Sequence, residues 1–341
     1  MGNSGIRLLS ASAGSGKTYS LALELVRCFE RDVRPEGVVA TTFTNKAASE
    51  LVESVRLRLL ENGRWKEAQR VFDGYMGTVN SVCGRLLKDF AVEAGLSPTL
   101  DVLPEGEDEV AFQISISPVI EQQAPAIDTV ARRLGFEDWR GQVKRIIDLA
   151  RSNGIAPDKL AESSVASWNS VKNLLPKPLS KNSGEDLDEE LFAALGKAAE
   201  DLSAGEDGTK KTKAVLDTLK GIYRRHYSAS TLSWADWERL RKLAPAVKSR
   251  EAVEPVVEAA ALHPAHPRFQ QDIKELISLI FSCSAEAMEA FAAYKKSQGL
   301  IDFVDQEALS LRLLGKKEVR ETLEETLDVL FVDEFQDTSP I

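Results

Sequence analysis

Apolar residues recur at helical spacing through Thr18–Arg31, at Leu21, Leu25, Val26 and Phe29. They do so again through Lys46–Leu60, at Ala47, Leu51, Val55 and Leu59. Residues three and four apart share one face of an α-helix, so each stretch predicts an amphipathic helix with a single buried stripe. A short apolar run precedes each one. Ile6–Ala11 and the β-rich Gly37–Phe43 predict strands, and Asn62-Gly63 supplies a stop signal after the second helix. Strand, turn and helix repeated in this order predict a parallel sheet with crossover helices.

The pattern changes at about residue 100. Up to about 295 helical spacing dominates, as in Ile273–Lys296, with Pro/Ser/Gly-rich breaks at Leu175–Asp188, Ala204–Thr209 and Leu262–Arg268. No internal repeat is present. Glu318–Leu327 then reads as helix, and Val329–Val332 as an apolar strand that ends at Asp333. The simplest account is an α/β domain interrupted by a long, mostly α-helical insertion. Its boundaries fall at 1–99 for the first part, 100–297 for the insertion and 298–341 for the return.

Composition sets bounds on this picture. The 341 residues are 43% hydrophobic and 28% charged, with a mean hydropathy of -0.21, as in ordinary soluble domains. No apolar run approaches a membrane span and the N-terminus lacks the features of a signal peptide, so a cytoplasmic protein without a membrane partner is expected. Three widely spaced cysteines, Cys28, Cys83 and Cys283, fit reduced core filler and argue against a disulfide framework or zinc site. The net charge of -10 argues against general nucleic-acid coating, but the charge is uneven. Residues 101–130 hold seven acids and no Lys or Arg, whereas 209–250 hold eleven Lys or Arg against three acids. A local nucleic-acid face is therefore compatible with the acidic total.

The chemistry begins at Ala11-Ser12-Ala13-Gly14-Ser15-Gly16-Lys17-Thr18, which fits the phosphate-binding loop with Ala for the first Gly. Small residues let backbone N–H groups curl around phosphate oxygens, and the following helix N-terminus adds partial positive charge. Lys17 is expected to reach the β- and γ-phosphates of ATP, and the Thr18 hydroxyl to coordinate Mg²⁺. Alone, the segment also reads as a Gly/Ser-rich turn, or as part of a small-molecule kinase. Val329-Leu330-Phe331-Val332-Asp333-Glu334 supplies the second half: an apolar strand that delivers an acidic pair to the carboxyl edge of a parallel sheet. Asp333 is expected to hold Mg²⁺ and Glu334 to act as general base on the attacking water. A guanine-reading site is excluded because Asn45-Lys46-Ala47-Ala48 lacks the required Asp.

Asp333-Glu334-Phe335-Gln336-Asp337-Thr338 and Thr42-Phe43-Thr44-Asn45-Lys46-Ala47-Ala48 together resemble the UvrD/Rep/RecB group of superfamily 1 DNA helicases. Gly77-Thr78-Val79-Asn80-Ser81 with Arg85-Leu86-Leu87, and Ile301-Asp302-Phe303, resemble further stretches of that group in the same order. The opening Ala-Ser-Ala-Gly-Ser-Gly-Lys-Thr is closer to the RecB and AddA exonuclease-helicase subunits than to UvrD. The resemblance implies a RecA-like P-loop domain, with parallel sheet and helices on both faces, in an ATP-dependent translocase acting on single-stranded DNA. It places Gln336 at the γ-phosphate, Phe43, Thr44 and Asn45 under single-stranded DNA, and Thr78 and Asn80 near its backbone. It also implies other subunits of a helicase–nuclease complex as partners, and roles in DNA repair and recombination.

The sequence departs from the group in three places. Asn80 stands where the group usually has His. Ten residues before Ala11 leave no room for the upstream adenine-reading Gln. The chain stops at Ile341, before the second motor domain that supplies the arginines at the γ-phosphate, so the isolated chain is expected to be inactive in unwinding. The competing reading is a short module that binds ATP or DNA without turnover. Within the insertion, Lys210, Lys211, Lys213, Arg224, Arg225, Arg239, Arg241 and Lys242 interleave with Tyr223, Tyr227, Trp234 and Trp237. That pattern reads either as a nucleic-acid path or as an amphipathic helix pair with a solvated basic face.

Overall fold

The computed structural model describes residues 5–8, 17–97, 101–104, 106–180, 184–229 and 232–335, and of residues 18 and 226–229 the backbone alone. The chain forms two compact units, one of Met1–Glu109 with Lys295–Ile341 and one of Val110–Tyr294.

The first unit opens with α1 (Lys17–Glu30), β1 (Val38–Thr42), α2 (Asn45–Glu61), α3 (Trp65–Arg70), β2 (Tyr75–Thr78), α4 (Val79–Asp89), α5 (Ala91–Ala94) and a two-residue strand, β3 (Asp101–Val102). The second holds most of α6 (Glu107–Leu134), then α7 (Trp139–Ser152), α8 (Leu160–Lys172), α9 (Glu185–Ala204), α10 (Lys210–Ala229), α11 (Trp234–Arg241), α12 (Arg250–Ala261) and most of α13 (Pro267–Gln298). The chain returns to the first unit through β4 (Leu300–Ile301), α14 (Phe303–Leu314), α15 (Lys317–Thr326) and β5 (Val329–Val332).

Strand order in the main sheet is β2-β1-β5, all parallel. Successive β1 side chains point to opposite faces, and the cores follow that alternation. Val38 and Ala40 join Leu21, Leu25, Phe29, Leu51, Val55 and Leu59 from α1 and α2. Val39 joins Val82, Leu86 and Leu87 of α4 with Leu313 and Leu323 of α14 and α15. Fully burying each such Leu or Phe contributes about 1.5–3 kcal/mol. Helices therefore cover both faces of β1. β5 is less well covered: Val329 and Phe331 pack on the α1–α2 side, while Leu330 on the other face is 64% exposed. The fully apolar strand read at Val329–Val332 is thus only half-covered here.

A correction concerns Ile6–Ala11. Residues 5–8 carry no strand, and the Ile6 and Leu8 side chains are exposed. Residues 9–11 lie outside the described part. An apolar run becomes a strand only when a neighbour satisfies its backbone groups, and residues 5–8 have no strand neighbour among the described residues.

β3 and β4 form a parallel two-residue ladder, Asp101 beside Leu300 and Val102 beside Ile301. It ties the chain just before its excursion to the chain just after its return. The Lys295 ammonium beside this ladder is buried against the carboxylates of Asp302, at 2.8 Å, and Asp305. Asp302 and Asp305 also close a capping box at the start of α14.

In the second unit, α9, α10, α11 and α12 enclose Leu191, Leu195, Leu219, Ile222, Trp237, Leu240 and Val256. Phe112 of α6 meets Phe291 of α13 edge to face at 5.2 Å. Contrary to the composition-based expectation, α13 is long and apolar enough to cross a membrane by length and composition alone. Its stripe of Leu276, Ile280, Cys283, Ala287, Met288 and Phe291 is buried within the protein.

Candidate functional site

The parallel register brings three chain segments out of the sheet at one edge. Thr42 lies beside Thr78, and Thr41 beside Val332, so Phe43, Val79 and Asp333 all follow the carboxyl ends of their strands. Asp333 N–H donates to the Thr41 carbonyl at 2.9 Å, adding one rung to the ladder. Glu334 N–H then donates to Asp333 Oδ1 at 3.0 Å. Glu334 adopts φ 51°, in the left-handed region that a residue with a Cβ seldom occupies. Such conformations persist where the surroundings over-determine them, and they cluster at functional sites.

Lys17 opens α1, and its side chain reaches this edge. Its Nζ donates to Glu334 Oε1 at 2.7 Å and Oε2 at 2.8 Å. Both side chains are about one-third exposed, so the pair is in contact with solvent. The sequence names both residues but gives no sign of this contact, which spans 317 positions. Ala11, Ser12, Ala13, Gly14, Ser15, Gly16, the Thr18 side chain and Gln336 lie outside the described residues.

The group expected to lie under DNA occupies the same edge. Phe43, just past β1, is 48% exposed, so it is not a core residue at the end of that strand. Thr44 and Thr78 each cap a helix. The Thr44 Oγ1 accepts from Ala47 N–H at 3.1 Å at the start of α2, and the Thr78 Oγ1 from Ser81 N–H at 3.2 Å at the start of α4. Their place in the sequence therefore has a structural cause beside any functional one. Asn45 is exposed. The Asn80 Oδ1 is buried and has no hydrogen-bond partner among the described residues. Arg85 is exposed but engaged: its guanidinium donates to the carbonyls of Phe72, Asp73 and Gly74 at 3.1, 2.8 and 2.7 Å, fastening the turn before β2.

Within the basic, aromatic stretch 209–250, the aromatic residues serve the helical core. Trp234 and Trp237 are buried, 3% and 0% exposed, in the core of the helical unit. Tyr223 stacks on Phe192 at 4.6 Å. Arg225 pairs with Asp236, and Arg241 and Lys242 with Glu238. Those three aromatic rings are packed away, so they cannot stack on bases; the Tyr227 side chain lies outside the described residues. Burial pushes the thiols of Cys28 and Cys83 up, and that of Cys283 up to about 11, which argues against a reactive thiolate.

Against known families, residues 3–341 match the UvrD/REP helicase N-terminal domain. Similar proteins include an ATP-dependent helicase/nuclease subunit of Staphylococcus aureus (strain MRSA252), 24% identical over 98% of this chain and 31% of that protein. The protein of the same name from Bacillus pumilus (strain SAFR-032) is 24% identical over 97% of this chain and 31% of its own length. That of Streptococcus pneumoniae (strain ATCC 700669 / Spain 23F-1) is 22% identical over 98% and 32%. The chain thus spans about a third of the length of these relatives. With nearly its whole length matched, the chain belongs to the UvrD/REP helicase N-terminal domain family.

Proposed function

We propose that this chain is the ATP- and Mg²⁺-binding part of an ATP-dependent DNA helicase that moves on single-stranded DNA. The observation that carries this reading is the meeting of Lys17, at the start of a helix, with Glu334, just past a strand, at the carboxyl edge of a parallel sheet. Ligands of open α/β sheets bind at that edge. In this reading residues 1–99 and 298–341 form one RecA-like P-loop domain and 100–297 its helical insertion. Ala11–Gly16 wrap the phosphates and Lys17 contacts the β- and γ-phosphates. Glu334 takes a proton from the attacking water, and Gln336 lies against the γ-phosphate.

The donor set suits Mg²⁺. Asp333 and Thr18 offer a carboxylate and a hydroxyl, both hard oxygen donors, next to a phosphate site, and Mg²⁺ is typically held by one or two carboxylates plus substrate phosphates. When bound, the ion neutralises charge that develops on the phosphates.

Single-stranded DNA crosses the neighbouring part of the same edge. Phe43 offers a ring for stacking, and Asn45, Thr78 and Asn80 offer small polar groups to the backbone without reading sequence. The N-termini of α2 and α4 lie there too, and helix N-termini favour phosphate. Since the relatives are named as subunits of an ATP-dependent helicase/nuclease, other subunits of such a complex are the proposed protein partners, in the cytoplasm, in DNA repair or recombination. Calorimetry with Mg·ADP tests the core of the proposal. Binding by the wild-type chain and its loss in Lys17→Ala are expected, and unchanged affinity in that variant overturns the site.

A further inference from the structure

β1 ends on Thr42, and the aromatic ring at the sheet edge follows directly. We infer that Thr42 is a positioning residue: its buried hydroxyl braces the backbone of Phe43 and so presents that ring, already oriented, to single-stranded nucleic acid. The inference rests on the DNA-binding reading given above.

The two neighbours differ sharply in exposure. Thr42 is 1% exposed and Phe43 48%. A hydroxyl buried without a partner is unfavourable, and that of Thr42 makes one hydrogen bond among the described residues. Its Oγ1 donates to the Thr44 carbonyl at 3.3 Å. The bond runs from one residue to the second residue on, so it closes a ring that contains both backbone dihedrals of Phe43. Both ends of the ring are anchored. Thr42 lies beside Thr78 in the parallel ladder, and the Thr44 carbonyl also accepts from Ala48 N–H at 2.9 Å in the first turn of α2.

A half-exposed ring has little packing of its own to orient it. Fixing its backbone before a base arrives lowers the ordering cost that stacking must offset. The hydroxyl bond is longer than an ordinary O–H···O contact, so the effect is moderate. Losing it should not undo the helix start, because the Thr44 Oγ1 still accepts from Ala47 N–H and caps α2. Nor does it orphan a buried group, since the Thr44 carbonyl keeps Ala48 N–H. The part played by Thr42 in binding is therefore separable from its part in stability.

The test is fluorescence anisotropy of a labelled single-stranded homopolymer with the wild-type chain, Thr42→Val, Thr42→Ala, Thr42→Ser, Phe43→Ala and the double variant Thr42→Val/Phe43→Ala. Valine keeps the branched shape and lacks the hydroxyl. Thr42→Val should bind about 2- to 5-fold more weakly than wild type, the lower part of the range for one hydrogen bond. Thr42→Ser keeps the hydroxyl and should recover most of that loss. The double variant should bind no more weakly than Phe43→Ala, because the brace then has no ring to position. Circular dichroism identifies the folded variants, and Thr42→Ala replaces Thr42→Val in the comparison if the latter does not fold. Wild-type affinity in a folded variant without the hydroxyl, beside weakened binding in Phe43→Ala, overturns the brace and leaves DNA on this edge. Losses that add in the double variant overturn it as well, since Thr42 would then act apart from the ring. Wild-type affinity in Phe43→Ala instead removes the DNA reading, and the brace with it.

Discussion

Asp328, the residue just before β5, is gripped by Arg34, just before β1. Its Oδ2 accepts from Arg34 Nε at 3.0 Å and from the Arg34 backbone N–H at 3.2 Å, and its Oδ1 accepts from Nη2 at 3.1 Å. The Asp328 N–H donates to the Gly37 carbonyl at 2.7 Å. A Cβ at Gly37 would run into the Asp328 carboxylate, so glycine is what permits the approach. Two segments 294 positions apart are thus aligned at the entrance to neighbouring parallel strands, and that alignment sets the register which brings Asp333 and Glu334 to the far edge.

The first prediction follows from this grip. The Arg34 hydrogen bonds hold the Asp328 carboxyl below the usual carboxylate range. A depressed folded-state pKa stabilises the fold at pH above the unfolded value of about 3.9. That contribution is lost as pH falls through the folded-state value. Asp328→Asn should cost about 1 kcal/mol at neutral pH, since the pair is partly solvated. The variant should also show a flatter decline in melting temperature on acidification below about pH 4. Parallel acid slopes in the two proteins would contradict it.

Lys295 gives a second and larger effect. It is 4% exposed and neutralises Asp302 and Asp305 together. Lys295→Met removes a buried cation from between the buried Asp302 and the partly exposed Asp305, for which about 3 kcal/mol of lost stability is expected. Asp305→Asn removes one charge and leaves a pair, so it should cost clearly less. Urea denaturation of both variants checks the order.

Much of this architecture is legible in the residues. α1 and α2 follow from the spacing of Leu21, Leu25 and Phe29 and of Leu51, Val55 and Leu59, because both helices bury one stripe on one sheet face. Thr44 and Thr78 mark helix starts by ordinary capping chemistry. The β3–β4 ladder could not be read, since two-residue strands have no period and exist only through their pairing. α6 runs for 28 residues through Pro118 and Pro125, against the local rule for proline. Burial of Phe112, Ile116, Ile127 and Val130 outweighs the lost backbone bonds. At the site, residue types announced phosphate chemistry, but the pairing of Lys17 with Glu334 depends on the strand order, which no local pattern encodes.

The helical unit supplies the third prediction. Trp237 is fully buried among α9, α11 and α12, so Trp237→Ala should destabilise by about 3–5 kcal/mol. Lys210, Lys211 and Lys213 are exposed on α10. If that face is only solvated, their joint reversal to Glu leaves both the affinity for single-stranded DNA and its salt dependence unchanged. A flatter salt slope in the triple variant would instead mark the face as a phosphate track.

The last prediction singles out Phe43 among the residues at the sheet edge. Thr44 and Thr78 are poor probes of DNA binding, because each caps a helix and its loss would cost about 1 kcal/mol of stability whatever the ligand. The orphaned oxygen of Asn80 is buried, so a change there also disturbs packing. Phe43 is 48% exposed, and its removal leaves the β1 core of Val38, Val39 and Ala40 intact. Phe43→Ala should therefore leave the melting temperature nearly unchanged while weakening binding of a single-stranded oligonucleotide by about 1–3 kcal/mol, the range for loss of one base–aromatic stack. The loss should be alike for homopolymers of different bases, because every base offers a π-face, and it should leave the salt slope as it was, because no charge is removed. Fluorescence anisotropy at several salt concentrations measures all three quantities. Wild-type affinity in a folded Phe43→Ala protein would take DNA off this edge, even with ATP binding at Lys17 intact.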